Sequence, residues 1–139
     1  MAAEENKALV RRVLAAVRHG WTPAVIDQFF AAGYRRHLTP TGPHLTGEEQ
    51  RERASRLRVA FPDAEFTLED ILAEGDRVAY RSTLRGTHQG PFLGVAPTGH
   101  RVTVSFLAIV RVEDGRLAEE WGGLDQADLL RQLRSNVGP

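Results

Sequence analysis

The chain has 139 residues, enough to bury one hydrophobic core and too few for two independent cores. Its 18 basic and 18 acidic residues cancel, so it lacks the net positive charge that binding to nucleic acid or to an anionic membrane normally needs. It contains no cysteine, which excludes disulfides, thiolate nucleophiles and cysteine-ligated metal sites. We therefore expect a single domain over residues 1–139 that binds no nucleic acid.

The N-terminal segment MAAEENKALV carries acidic residues where a signal peptide has basic ones. No apolar stretch of the chain is long enough to span a membrane. We expect a cytoplasmic protein without a membrane partner.

Three helices are predicted in the first 60 residues. Apolar residues recur at helical spacing from Asn6 to Arg18. Thr22-Pro23 provides an N-cap and a first-turn proline for a short second helix whose apolar face reaches Phe30. After an irregular stretch over residues 34–45, a capping box at Thr46 opens a third helix that runs to about residue 60.

The pattern then changes to that of β-strands. Four are predicted, at Glu65–Ala73, Arg77–Arg85, Arg101–Val112 and Arg116–Trp121. Tight turns join the first to the second and the third to the fourth, whereas a loop rich in glycine and proline spans residues 86–100. A last amphipathic helix is predicted over residues 125–134.

This order of elements indicates an α+β fold, in which a cone-shaped, curved antiparallel or mixed sheet wraps around the N-terminal helices. Such a sheet encloses an apolar pocket, the usual location of a small-molecule site. Because the helices leave one face of the sheet uncovered, we also expect a homodimer or homotetramer.

Recognisable cofactor motifs are absent from the sequence. It has no glycine-rich phosphate loop, no metal-binding histidine or carboxylate motif and no G-x-S-x-G elbow. We expect no metal and no cofactor, and acid–base chemistry by aspartate, glutamate, histidine or tyrosine in an apolar pocket.

Asp125 is the main candidate for that chemistry. It follows Trp121 and a glycine pair in EEWGGLDQADLLRQL, at the start of the last helix. The local pattern first favours an ionised N-cap. The alternative is a partly desolvated carboxylate beside the indole, with a raised pKa and a role in proton transfer. Asp128 competes with it but is more typical of a solvated first-turn acid.

Further site residues are predicted among the histidines and aromatics. His37, in YRRH, could point into the pocket mouth as a second catalytic group, although a plain loop histidine is slightly favoured. His88, in the long loop, could close over a ligand or be a solvent-exposed turn residue. The predicted substrate-binding residues are Tyr34, Phe61, His88, Phe92 and Trp121; Phe92 and Trp121 are placed on the pocket wall, and aromatics elsewhere are individually best assigned to the core.

Taken together, these segments resemble the SnoaL-like polyketide cyclases, which have the cone fold of nuclear transport factors and ketosteroid isomerases. The resemblance spans nearly the whole chain. It is carried by YRRH at 34–37, the stretch from AFPDAEF to GHRV at 60–102, VEDGRLAEEWGGLD at 112–125 and LLRQL at 129–133.

The resemblance implies a cofactor-free intramolecular aldol condensation that closes the last ring of an aromatic polyketide methyl ester. Asp125 matches the aspartate that removes a proton α to carbonyls and then protonates the new alkoxide, and His37 matches a histidine common near the pocket entrance. The pair Gly122–Gly123 departs from the family, where bulkier residues commonly follow the tryptophan. Because members of such a family also work as other enzymes or as binding proteins, a hydrolase, dehydratase, isomerase or binding protein with a small apolar or aromatic carbonyl ligand remains the alternative.

Overall fold

The computed structural model describes residues 2–135 of the chain. In this range the elements are, in chain order, α1 (Ala2–Ala16), α2 (Pro23–Phe29), β1 (Phe30–His37), β2 (Leu45–Thr46), α3 (Gly47–Ala60), β3 (Glu65–Glu74), β4 (Arg77–Thr87), β5 (Arg101–Glu113), β6 (Arg116–Leu124) and α4 (Gln126–Leu133). None of the described helices is long and apolar enough to cross a membrane.

The strands form one sheet in the order β2-β1-β6-β5-β4-β3. β1 and β6 pair in parallel, and the other neighbours pair antiparallel. The N-terminal helices pack against one face of this sheet. α1 buries Val10 and Val13 there, and Val17, just after the helix, is buried with them. The predicted α+β class with a mixed sheet is confirmed.

Local signals placed the helix starts and the hairpins well. Thr22 caps α2, and Thr46 with Glu49 forms the predicted capping box of α3. β5 alternates strictly between exposed odd-numbered and buried even-numbered residues from Arg101 to Val110, because its even-numbered side chains face the helices. The core therefore lies between this inner face and the helices.

Strand β1 corrects the prediction of an irregular stretch from Tyr34. Its sequence FAAGYRRH has two alanines, a glycine and two arginines, so its propensity for β-structure is low. The strand forms because it pairs with β6, about 85 residues away in the chain. Phe30, predicted on the second helix, is its first residue. As a consequence, the side chains of Tyr34 and Arg36 are buried in the interior of the fold.

A β-bulge in β6 decides which glutamate faces the interior. Leu117 pairs with Val112 and Glu119 with Arg111, so Ala118 is an extra residue on β6. Beyond it Glu120 lies opposite Val110 and is fully buried, whereas strict alternation from Leu117 would have placed Glu119 inside. The bulge thus brings a carboxylate into an otherwise mostly apolar core.

Candidate active site

A cleft of about 400 Å³, open to solvent at one side, lies between α1 and the inner face of the sheet. Trp21, Phe66 and Phe106 form part of its wall, and Tyr80 and Ser82 add polar groups. The same three aromatics also border a narrow cavity of about 20 Å³, room for about one water molecule, beside Gln50 and other polar side chains of α3 and β1. The interior of the fold is therefore an aromatic-lined space that ends in polar groups.

The polar end is built around Arg36, which is only 1% exposed. Its Nη1 lies 3.4 Å from Oε2 of Glu120, its Nη2 donates a hydrogen bond of 3.0 Å to the carbonyl of Gly122, and its guanidinium lies 5.2 Å from the ring centroid of Phe106. Burial, the largest single effect, lowers the pKa of Arg36, but the charge of Glu120 and smaller contributions from Tyr34 and Tyr80 together raise that pKa above its usual value. Arg36 and Glu120 therefore form a charged, mutually compensated pair.

Two buried tyrosines lie near this pair: Tyr80 lines the cleft beside α1, whereas Tyr34 lines none of the cavities described, and its role in substrate binding stays a prediction. Burial, followed by the charge of Glu120, raises the pKa of both Tyr34 and Tyr80 well above 10. Both phenols are thus protonated at neutral pH and can donate hydrogen bonds. Among the described residues, the Tyr34 hydroxyl and both carboxylate oxygens of Glu120 have no hydrogen-bond partner. The phenol of Tyr34 is nevertheless directed at Glu120, since hydrogen bonding to that carboxylate contributes to its raised pKa.

Asp125 lies outside this interior, at a separate cleft of about 400 Å³. It is the N-cap of α4, and its Oδ1 accepts a hydrogen bond of 3.0 Å from the backbone N–H of Asp128. Its side chain is exposed, so the partial desolvation expected from the nearby indole is absent. In the part of the chain that the structure describes, Oδ2 makes no hydrogen bond, which leaves it accessible to a ligand in the cleft.

His37 and Trp121 lie on the outer face of the sheet, which corrects their expected positions at the pocket mouth and wall. They are register partners in β1 and β6, one residue beyond Arg36 and Glu120, and successive residues of a strand face opposite sides. Their rings stack with centroids 5.4 Å apart and planes 12° apart. The role of either residue in catalysis or binding stays a prediction.

The outward histidine is held by Glu119. Its Nε2 lies 2.6 Å from Oε2 of this carboxylate, and Arg111 donates to the other oxygen at 3.3 Å. Burial alone would raise the pKa of Glu119, but the hydrogen bonds from His37 and Arg111 outweigh it and hold that pKa below 4.5. This cluster is an outer-face ion network, separated from the cavity by the sheet.

His88 is fully buried and holds the long loop that follows β4. Its Nδ1 accepts a hydrogen bond of 3.2 Å from the backbone N–H of Thr98, and its ring packs 5.6 Å from that of Phe61. Neither residue lines the cavities described above, so neither occupies the expected position against a ligand. Phe92, on the same loop, does line the narrow inner cavity, as expected for the pocket wall.

Comparison with known proteins assigns the family. A model of the SnoaL-like polyketide cyclases matches residues 8–133. The chain belongs to this family. The aklanonic acid methyl ester cyclase DnrD of Streptomyces peucetius is 30% identical in an alignment of 132 positions that covers 90% of this chain and 88% of DnrD. The resemblance read from the sequence is thereby confirmed.

Solved structures agree with this assignment. AclR of Streptomyces galilaeus, a candidate hydroxylase, has a TM-score of 0.85 and 30% identity over 99% of this chain and 86% of AclR. A candidate SnoaL-like cyclase from Jannaschia sp. CCS1 also reaches 0.85, over 97% of this chain and 95% of the other, and at 23% identity it shows the fold alone.

Arg53 is one of the cavity residues of this SnoaL-like chain that sequence reasoning missed, with Arg36 and Gln50. It borders the narrow inner cavity, the Asp125 cleft and a third cleft of about 300 Å³ beside Phe92. Burial, with a smaller contribution from neighbouring Arg36, lowers the pKa of Arg53 to about 10. The sequence of α3 is mostly polar, which is typical of a solvent-exposed helix. Four of its residues nevertheless recur at helical spacing and face inward, and this spacing could have predicted the position of Arg53; they are Gln50, Arg53, Ala54 and Leu57.

A metal site is not formed by the described residues. Within 2–135, no three histidine, aspartate or glutamate side chains lie close enough together to hold an ion.

Proposed function

We propose that the protein is a cofactor-independent cyclase that closes a ring of a polyketide ester by an intramolecular aldol reaction, with Asp125 as the acid–base group. The observation that carries the proposal is the position of Asp125 at a cleft bordered by Arg53 and Leu124, two residues that also border the aromatic-lined interior. Membership in the cyclase family and the similarity to DnrD over most of both chains support the same reaction class.

The chemistry needs one carboxylate and no redox step. Asp125 takes a proton from a carbon between two carbonyl groups, and the electron pair left behind delocalises onto the carbonyl oxygens. The enolate carbon then attacks a ketone carbon of the same molecule, which forms the new carbon–carbon bond and leaves an alkoxide. Asp125, now protonated, returns the proton to that alkoxide, so the enzyme ends in its starting state.

The substrate we propose is a small polycyclic carbonyl compound with a mostly apolar surface. Trp21, Phe66 and Phe106 line the cleft of about 400 Å³ beside α1 and offer flat walls on which aromatic rings can pack. A carbon acid flanked by two carbonyls is already activated, so the main contribution of the protein is to hold nucleophilic and electrophilic carbons within reach of each other. Aklanonic acid methyl ester, the compound in the name of DnrD, is the first substrate to test.

The decisive experiment is the substitution Asp125→Asn. Asparagine caps a helix about as well as aspartate, so the fold is expected to stay intact. We expect turnover of the methyl ester to fall by about 10²-fold or more, because general acid–base catalysis contributes about 10²- to 10⁴-fold. Product formation is followed by absorbance and mass spectrometry, with circular dichroism as the check on folding.

Asp128→Asn is the matched control, since Asp128 lies in the first turn of the same helix and pairs with Arg131. It should leave turnover nearly unchanged. An active Asp125→Asn enzyme would refute the proposed role. A larger loss in His37→Ala than in Asp125→Asn would favour the alternative of a hydrolase, dehydratase or isomerase, and ligand binding without turnover by the wild type would favour a binding protein.

A further inference from the structure

Two guanidinium groups border the narrow inner cavity, and only one has an acidic partner. Arg36 is compensated by Glu120 and fixed by the carbonyl of Gly122. Arg53 has no hydrogen-bond or ion-pair partner among residues 2–135, where an ion pair requires nitrogen and oxygen within 4.0 Å. The cavity therefore carries an uncompensated positive charge at Arg53.

The acidic residues around Arg53 are engaged or directed elsewhere. Oε1 of Glu49 accepts a hydrogen bond from the backbone N–H of Thr46 in the capping box of α3. Glu52 is exposed. Asp125 borders the same cleft as Arg53 but lies beyond ion-pair distance. A ligand in this cleft would therefore meet a free guanidinium on one wall and a free carboxylate oxygen on another.

The partly buried environment of Arg53 strengthens its interaction with a negatively charged ligand atom. The guanidinium is only partly solvated, and its lowered pKa of about 10 still leaves it charged at neutral pH. A charge-assisted hydrogen bond to an anionic oxygen is stronger in such a partly dry site than in open water. A neutral carbonyl oxygen gains less from the same contact.

We infer that Arg53 binds the substrate oxygen that becomes negatively charged when Asp125 removes the proton, and so stabilises the enolate. The inference rests on the proposed ring closure for the identity of that oxygen. It makes Arg53 a catalytic residue, and it predicts that aromatic ligands which already carry an acidic oxygen bind through the same group.

The binding test uses 2-naphthoate and methyl 2-naphthoate, which differ in one negative charge. Isothermal titration calorimetry at pH 7.5 measures the Kd of each for the wild type, Arg53→Gln, Arg53→Lys and Arg56→Gln. We expect the wild type to prefer naphthoate. Arg53→Gln should weaken naphthoate binding by about 10- to 100-fold, the range of a charge-assisted hydrogen bond, and leave the ester nearly unaffected. Arg53→Lys should lie between them.

Arg56→Gln is the matched control. This exposed arginine lies one turn further along α3, and of the three spaces that Arg53 borders it lines only the cleft of about 300 Å³ beside Phe92. It removes the same net charge without removing the inner guanidinium, so naphthoate binding should change by less than about twofold. Equal losses in Arg53→Gln and Arg56→Gln would overturn the inference, as would equal losses for acid and ester, or a wild type that does not bind naphthoate.

Turnover separates this inference from the proposed function. If ring closure depends on Asp125 but the protein does not select naphthoate, the proposed role of Arg53 is wrong and the proposed cyclase function stands. If the protein closes no ring but selects naphthoate through Arg53, the proposed stabilisation of an enolate is wrong, and Arg53 belongs to a binding site for acidic aromatic ligands.

Discussion

Glu119 and Glu120 are neighbours in the sequence with opposite surroundings in the fold. Glu119 faces outward to His37 and Arg111, and Glu120 faces the core beside Arg36. Removing one partner of a buried ion pair leaves an uncompensated charge in the interior, which is far more costly than losing a partly solvated pair.

We therefore predict that Glu120→Gln lowers the free energy of unfolding by about 3–5 kcal/mol. Glu119→Gln should cost less than that, because the cations around it, Arg35, His37 and Arg111, are each partly exposed to water. Urea denaturation at pH 7.5 measures both. The double substitution Arg36→Met with Glu120→Leu should recover most of the loss, and equal losses in the two single variants would contradict this account of the buried pair.

The glycine pair after Trp121 makes room for two close neighbours. Gly122 and Gly123 have φ values of +101° and +152°, which other residues rarely adopt. A Cβ at Gly123 would lie 2.9 Å from Nη2 of Arg36, and a Cβ at Gly122 would lie 2.3 Å from the carbonyl oxygen of Leu107. Gly123 therefore leaves room for Arg36, whereas Gly122 leaves room for the backbone of β5.

At the scale of elements, the loop over residues 88–100 carries Phe92 to the cavity and is held by His88. The backbone N–H of His88 donates to the carbonyl of His100, and the N–H of Gly99 donates to the carbonyl of His88. Thr98 satisfies Nδ1 of the ring. The loop is therefore anchored at its base by a histidine that is buried and acts as an acceptor.

This arrangement predicts a pH dependence of stability. Burial lowers the pKa of His88 below 6.5, so the unfolded chain binds the proton more readily than the folded protein. The contribution of His88 is complete above about pH 6.5 and is lost as the pH falls below it. Between pH 7.5 and 5.5 the wild type should lose more unfolding free energy than His88→Gln, as measured in urea.

His19→Gln is the control for that comparison, since His19 is exposed at the end of α1. It should keep the wild-type pH dependence. If His88→Gln loses as much stability as the wild type over the same range, the buried histidine is not the titrating group.

At the scale of the whole molecule, the outer face of the sheet carries a row of four apolar side chains that ends at His37. Leu72, Ala79, Ile109, Trp121 and His37 are successive register partners across β3, β4, β5, β6 and β1. Leu72 is 70% exposed and Ile109 is 44% exposed, which is unusual for large apolar side chains grouped together. We propose that a second copy of the chain covers this row.

The corresponding prediction is that the protein is a dimer or tetramer at micromolar concentration, and that Ile109→Arg dissociates it. A charge at the centre of an apolar interface is left without a partner, and the subunits separate. Light scattering coupled to size exclusion measures the mass. Ser105→Arg, on the same strand and the same face, is the control expected to leave the mass unchanged; a monomeric wild type would contradict the proposal.

Patterns within short stretches of sequence determined much of this protein. The capping residues Thr22, Thr46 and Asp125, the two hairpins and the four long strands were readable because caps, turns and alternation depend on residues a few positions apart. The family, too, followed from the order of these segments. The cap at Asp125 is confirmed, and its acid–base role stays a proposal.

Only the tertiary structure decided which side chains face the cavity. Strand β1 exists because of a partner about 85 residues away, and the extra residue Ala118 reverses the faces of Glu119 and Glu120. A shift of one residue exchanges the two sides of a strand, so no local pattern could place Arg36 inside and His37 outside. Pairing between distant segments, which short-range patterns do not encode, positions the polar groups of the site.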